Sequence, residues 1–132
     1  MIGFELRGTD AAVAAIRNIR AKVTDDTVRP IALAALEPVA EEARVLVPVR
    51  SGNLRSDIAV SPTLPNGEDA GYHGRAVFVG TFGSDDWYAW DVELGGVNRR
   101  ANPFLVPAVE TKAPMVFDLL GEGVGRLILG AV

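Results

Sequence analysis

The sequence predicts an α+β domain: a small antiparallel β-sheet packed on one side by helices, with a long C-terminal helix. Three observations carry this expectation. Two apolar stripes at helical spacing lie between residues 10 and 47. Short β-branched or alternating runs bounded by Gly and Pro come next, the clearest being "RAVFVGT" at residues 75–81. From Pro103 onward the pattern is helical again. Strands grouped among helices, rather than alternating with them, are the mark of the α+β class. At 132 residues the chain suits one domain, 1–132, with a core of its own.

Taken in order, "IGFELRG" alternates, with Ile2, Phe4 and Leu6 on one face, and reads as a first strand. Thr9-Asp10 supplies an N-cap for a helix through "AAVAAIRNIRAKV", where Val13, Ile16, Ile19 and Val23 form the stripe. After "TDDT" a longer helix carries Val28, Ala32, Ala35, Leu36, Val39, Ala43 and Leu46 along one side. Pro30 is tolerable in its first turn, Pro38 should kink or split it, and Pro48 ends it. A turn at Ser51-Gly52-Asn53 leads into a strand over "LRSDIAVSP", and Gly52 is expected to take a positive φ there.

"PTLPNGEDAGYHG" is rich in Pro, Gly and Asn. An unstructured loop of that length, 61–74, is usually functional or mobile. "SDDWYAWDVELGG" reads as a short helix in preference to a strand, and a second polar loop, 95–102, comes after it. Both loops, 61–74 and 95–102, are expected to be mobile and to meet adjacent subunits. Asn102 is expected to cap a last helix that opens on Pro103. Pro114 threatens that helix, and Gly121, Gly123 and Gly125 weaken it unless a partner packs on Leu120, Val124, Leu127 and Ile128.

Chemistry is hard to find. The chain has no cysteine, so no disulfide, thiolate nucleophile or zinc–thiolate site is available. His73 is the only histidine and sits in a loop, which leaves no His-based metal site or catalytic triad. "GTFGS" lacks the lysine of a phosphate cradle. Glu41-Glu42 are adjacent on a helix and do not face each other, while Asp85-Asp86 suit a helix start. No cofactor is implied. No apolar run approaches the roughly 20 residues that span a bilayer, and the N-terminus lacks signal-peptide character, so a cytosolic start is expected. A formal net charge of −4 argues against a surface that grips phosphates throughout. The cluster Trp87, Tyr88 and Trp90 belongs either to the core or to a subunit contact. Its acidic neighbours, Asp85, Asp86, Asp91 and Glu93, oppose stacking on single-stranded nucleic acid.

Three segments in this order, "VPVRSGNLRSDI", "YAWDVELGG" and "ANPFLVPAVE", resemble a known family. It is the small neck or tail-completion (head–tail joining) proteins of long-tailed bacteriophages, typified by the gene-product-ten minor tail component of a lambdoid phage. The resemblance runs from about Leu36 to Glu110. Its signature falls on Pro48, Ser51, Gly52, Leu54 and Arg55, then Tyr88, Ala89, Val92, Glu93 and Gly95, then Pro103, Phe104, Leu105, Pro107 and Ala108. Gly96 stands where relatives often carry Thr, and the glycine-rich last helix departs from the pattern.

The resemblance implies a structural virion protein, made in the host cytoplasm, with no enzymatic activity and no membrane contact. It would form a homo-oligomeric ring, six copies being favoured, at the head–tail joint or the head-proximal end of the tail. Its partners would be the head-connector or stopper and the tail-tube or tail-terminator proteins, with DNA passing through without specific binding. Net acidity suits such a channel, because every neutralised phosphate strengthens binding through counterion release. Candidate interface residues are Arg55, Asp85, Asp86, Trp87, Trp90, Glu93, Arg99 and Arg100. Arg55 and Glu93 could pair within the fold or across subunits, and Arg99-Arg100 could meet Asp85-Asp86 of a neighbour. Phe104 is expected to anchor the core. Two competing readings are a small hydrolase or ligand-binding domain using carboxylates and His73, and direct DNA binding through Arg17, Arg20 and Lys22.

Overall fold

The computed structural model describes residues 2–49, 52–63, 76–83 and 88–131. Among them the elements run α1 (Thr9–Lys22), α2 (Asp25–Leu46), α3 (Asn53–Asp57), β1 (Ile58–Ser61), β2 (Phe78–Thr81), α4 (Ala89–Leu94) and α5 (Leu105–Ala131). The fold is α+β, with a two-stranded antiparallel sheet among the described residues and a long last helix. Helix α2 is its axis: α5 lies along it, and both strands lean on it.

The start of α2 is strongly specified. Thr24 accepts from the Thr27 amide at 3.3 Å, while Thr27 Oγ1 accepts from the Thr24 amide at 2.9 Å. Asp25 and Asp26 sit at the positive end of the helix dipole. The expected stripe is buried at Ala35, Val39 and Ala43, joined by Ala40 and Val47, whereas Leu46 faces outward. Pro38 does not split the helix, and Pro30 falls in the second turn rather than the first. Ala34, whose carbonyl loses a donor to Pro38, is an exposed residue, where water can take the place of the missing amide. The helix stops where Pro48 dictates, because the residue before a proline is pushed out of the α region. Val47 accordingly lies at φ −65° and ψ 135°.

Gly52 takes the positive φ expected of it, 84°. The expected strand does not begin there. Residues 53–57 instead form the short helix α3, which turns Leu54 into the core, and the strand begins only at Ile58. Strand β1 pairs with β2 in the register Ile58↔Thr81 and Val60↔Val79, placing Ile58, Val60 and Val79 against the helices. Phe78 and Phe82 stack with ring centroids 5.2 Å apart, and the Phe78 ring lies beside Gly80, which has no side chain of its own to cover it. Arg44 ties α2 to the sheet, its Nη2 donating to the Ile58 carbonyl at 2.8 Å and its Nη1 to Glu37 at 3.3 Å. Val39, Ile58 and Phe104 are the largest fully buried side chains, so Phe104 is the core anchor the sequence implies.

Two N-terminal expectations fail. Residues 2–8 form no strand, since they meet no partner strand and leave Ile2, Phe4 and Leu6 exposed. Gly8, not Thr9 or Asp10, is the N-cap of α1, with no side-chain cap. The apolar stripe of α1 is present but no residue of the helix is buried. Val13 and Ile16 stay open, and Ile19 and Val23 are half-covered.

Helix α5 runs through Pro114 without a break, for the same reason as α2: Glu110, four residues back, is an exposed residue. It starts at Leu105 rather than Pro103. Leu120, Val124 and Leu127 are half-buried against their neighbours. Gly123 is a contact point, since a Cβ there would collide with Ile31 Cγ2 on α2. Gly123→Ala is therefore expected to destabilise by about 1–2 kcal/mol in spite of its better helix propensity. Gly121→Ala and Gly125→Ala, with nothing within 4 Å of the new methyl, are expected to stabilise by about 0.5–1 kcal/mol each. Urea unfolding midpoints of the three variants check the contrast.

Candidate functional site

The signature segments meet where α4 hands the chain to α5. Helix α4 forms on the pattern Tyr88, Val92 and Glu93, with Val92 buried and Tyr88 packed against the core. It ends at Gly95, whose φ 77° and ψ 167° lie in a region that glycine alone occupies readily. The chain then makes a tight return in which Gly96 and Arg99 exchange backbone hydrogen bonds of 3.0 and 3.3 Å. The Asn102 amide closes the return by donating to the Val92 carbonyl at 2.8 Å. Residues 95–102 are thus a hydrogen-bonded turn.

Glu93 completes the clasp. Its Oε2 accepts from the Phe104 and Leu105 amides at 2.8 and 3.0 Å, and its Oε1 from the Val106 amide at 2.9 Å. These are the otherwise orphaned donors at the start of α5. Glu93, and not Asn102, therefore caps the last helix. Partial burial pushes the Glu93 carboxyl upward, but the amides of Phe104, Val106 and Leu105 outweigh it and hold the group below its ordinary value.

Around this clasp the structure gathers residues far apart in sequence. Pro48, Gly52 and Leu54 line a cleft of about 250 Å³ together with Tyr88 and, from the return turn, Arg99, Arg100 and Asn102. A second hollow, about 390 Å³, lies between β2 and α4, with Trp90 and Glu93 on its wall. Trp90 is 73% exposed, so of the aromatic cluster Tyr88 serves the core and Trp90 does not. Arg55, Arg99 and Arg100 are exposed. No ion pair joins Arg55 to Glu93 within the chain; the Glu93 carboxylate is turned to the α5 amides instead. Asp85, Asp86, Trp87 and His73 lie outside the described residues. Arg17, Arg20 and Lys22 lie exposed on α1.

Sequence reasoning missed Arg44, which a helix-face pattern marks only as a solvated charge, and the capping role of Glu93, whose partners lie 11–13 positions downstream. Among the described residues no group of His, Cys, Asp and Glu is placed to hold a metal ion, and no helix is long and apolar enough to cross a membrane. The arrangement offers capping, packing and exposed cationic and aromatic contacts.

Compared with known proteins, residues 10–95 match the family model HK97-gp10_like, described as "Bacteriophage HK97-gp10, putative tail-component". The matched span holds the first signature segment and the second through Gly95, and leaves the third segment and α5 outside it. No curated protein and no solved structure matches. By this match, which covers well over half its length, the chain belongs to the HK97 gp10-like family of bacteriophage tail components.

Proposed function

We propose that this phage structural protein assembles into a ring at the head–tail joint or the head-proximal end of the tail, six copies being favoured, with DNA passing through the channel. Its role is architectural rather than catalytic. The head-connector or stopper lies on one side of the ring and the tail-tube or tail-terminator protein on the other.

One observation beyond family membership supports assembly. Summed over the whole chain, the segments outside the described residues included, the exposed area is 9471 Å², whereas a compact monomer of 14.0 kDa exposes about 6,700 Å². The excess, roughly 2,800 Å², is of the size that two subunit faces of at least about 800 Å² each would cover. Much apolar surface stands open for it, including Trp90 and Leu94 on α4 and Val106, Val109 and Phe117 on α5. The exposed cations Arg55, Arg99 and Arg100 would supply the polar part of the contact, since cation rims set partner choice and register more than affinity. A formal charge of −4 suits a channel that must release DNA.

Multi-angle light scattering is expected to give a particle of several times 14.0 kDa for the protein alone, or one holding several copies of it when connector and tail-tube proteins are added. A monomer under both conditions would end the reading. Trp90→Ser and Arg99→Glu are expected to lower the assembled fraction without changing the melting temperature, because both side chains are exposed in the single chain.

A further inference from the structure

We infer that residues 2–7 are an intersubunit arm: an extended segment that each copy lays against a second copy of this chain, with Ile2, Phe4 and Leu6 facing the neighbour. The inference rests on the ring reading and deepens it by naming a contact.

The arm has two faces. Ile2, Phe4 and Leu6 alternate on one, and they are 94%, 102% and 81% exposed. The other face carries Glu5 and Arg7, whose side chains meet at 3.2 Å. Residues two apart share a side only in an extended chain, so this ion pair accompanies the strand-like conformation that the apolar alternation requires. Three consecutive same-face apolar residues left wholly in water are unfavourable in an isolated chain, and burial of such side chains is the main drive of association.

Among the described residues, the chain's own body offers the arm no partner. Among the described residues, the backbone of 2–7 makes no hydrogen bond, and the helix that the arm feeds, α1, buries none of its residues. Val13 and Ile16 of α1 stand open as well, so arm and helix together present one uncovered apolar unit.

A second copy fits this unit better than another class of partner. The arm's two charges neutralise each other, which leaves nothing to select nucleic acid, an anionic surface or an oppositely charged protein. Meanwhile the same chain carries an excess of exposed area of the magnitude that self-association covers, and open apolar residues to receive the arm.

The test uses the full chain and its lack of cysteine. Light scattering is run on the wild type, on a deletion of residues 2–7, and on the double variant Phe4→Ser, Leu6→Ser. Both variants are expected to keep the wild-type melting temperature while the concentration for half-assembly rises about a hundredfold or more. In parallel, Phe4→Cys carrying a benzophenone maleimide is irradiated in a mixture of ¹⁴N and ¹⁵N chains. Cross-linked peptides of mixed isotope are the expected product.

Variants that assemble as well as the wild type, or cross-links confined to one isotope, would overturn the arm while leaving the ring reading intact. Variants that lose their own fold would overturn it too, by showing that the arm packs at home. Cross-links found only to connector or tail-tube protein would give the arm to a different partner. A wild type that stays monomeric with those partners present would remove the ring reading and the arm with it.

Discussion

Glu93→Ala is expected to destabilise the protein by about 3 kcal/mol, a fall in melting temperature on the order of 10 °C. The side chain caps α5, and its removal takes the acceptor from the amides of Phe104, Leu105 and Val106. Three hydrogen bonds to a carboxylate would suggest more, but the Val106 end is exposed and water replaces part of the loss. Phe104, fully buried in the core, is held in place by the same contact, so the damage spreads from cap to packing. Glu93→Gln keeps an acceptor oxygen and should cost about half as much.

The same group gives a pH signature. The Glu93 carboxyl is held below its ordinary value in the folded chain, so its contribution is complete above the unfolded-state pKa. It is lost as pH falls through the lower folded value. Melting temperature measured between about pH 7 and pH 3 is expected to drop on the acid side, and Glu93→Gln should flatten that part of the curve. An identical acid limb in the variant would mean that other carboxylates carry it.

Gly95→Ala is the second large effect, expected at about 2–3 kcal/mol. The backbone there, at φ 77° and ψ 167°, is strained for any residue with a side chain. A methyl group would also come within 2.8 Å of the Ala101 nitrogen and 3.0 Å of the Arg99 oxygen. Both obstacles are backbone of the return turn, which cannot swing aside as a side chain would. Relief has to come from opening the turn, and that would separate Asn102 from Val92 and Glu93 from α5. Chemical denaturation of Gly95→Ala, Glu93→Ala and the double variant is expected to show less than additive losses, because both substitutions unhook one clasp. Full additivity would place the two residues in separate structures.

The features legible along the chain share a physical origin. The stop at Pro48, the positive φ at Gly52, the α4 helix and the burial of Phe104 are each set by a residue's own backbone limits or by periodicity within one element. The alternation of Ile2, Phe4 and Leu6 is equally visible, yet it makes no strand, because a strand exists only with a partner to take its hydrogen bonds. Residues 54–57 went the other way, their local pattern yielding to a helical turn that buries Leu54. Asn102 has the chemistry of a cap, but Glu93 reaches the site first from a preceding helix.

By itself the sequence determined the class of fold, the places where helices stop and turn, and the family, because these rest on local backbone chemistry and on ordered motifs. Only the tertiary structure decided that Glu93 caps α5, that Gly123 is the contact of α5 with Ile31, and that α1 and the segment before it are left uncovered. Each of these depends on which surfaces meet across the fold. That choice is made between elements, and no single helix or strand contains both partners.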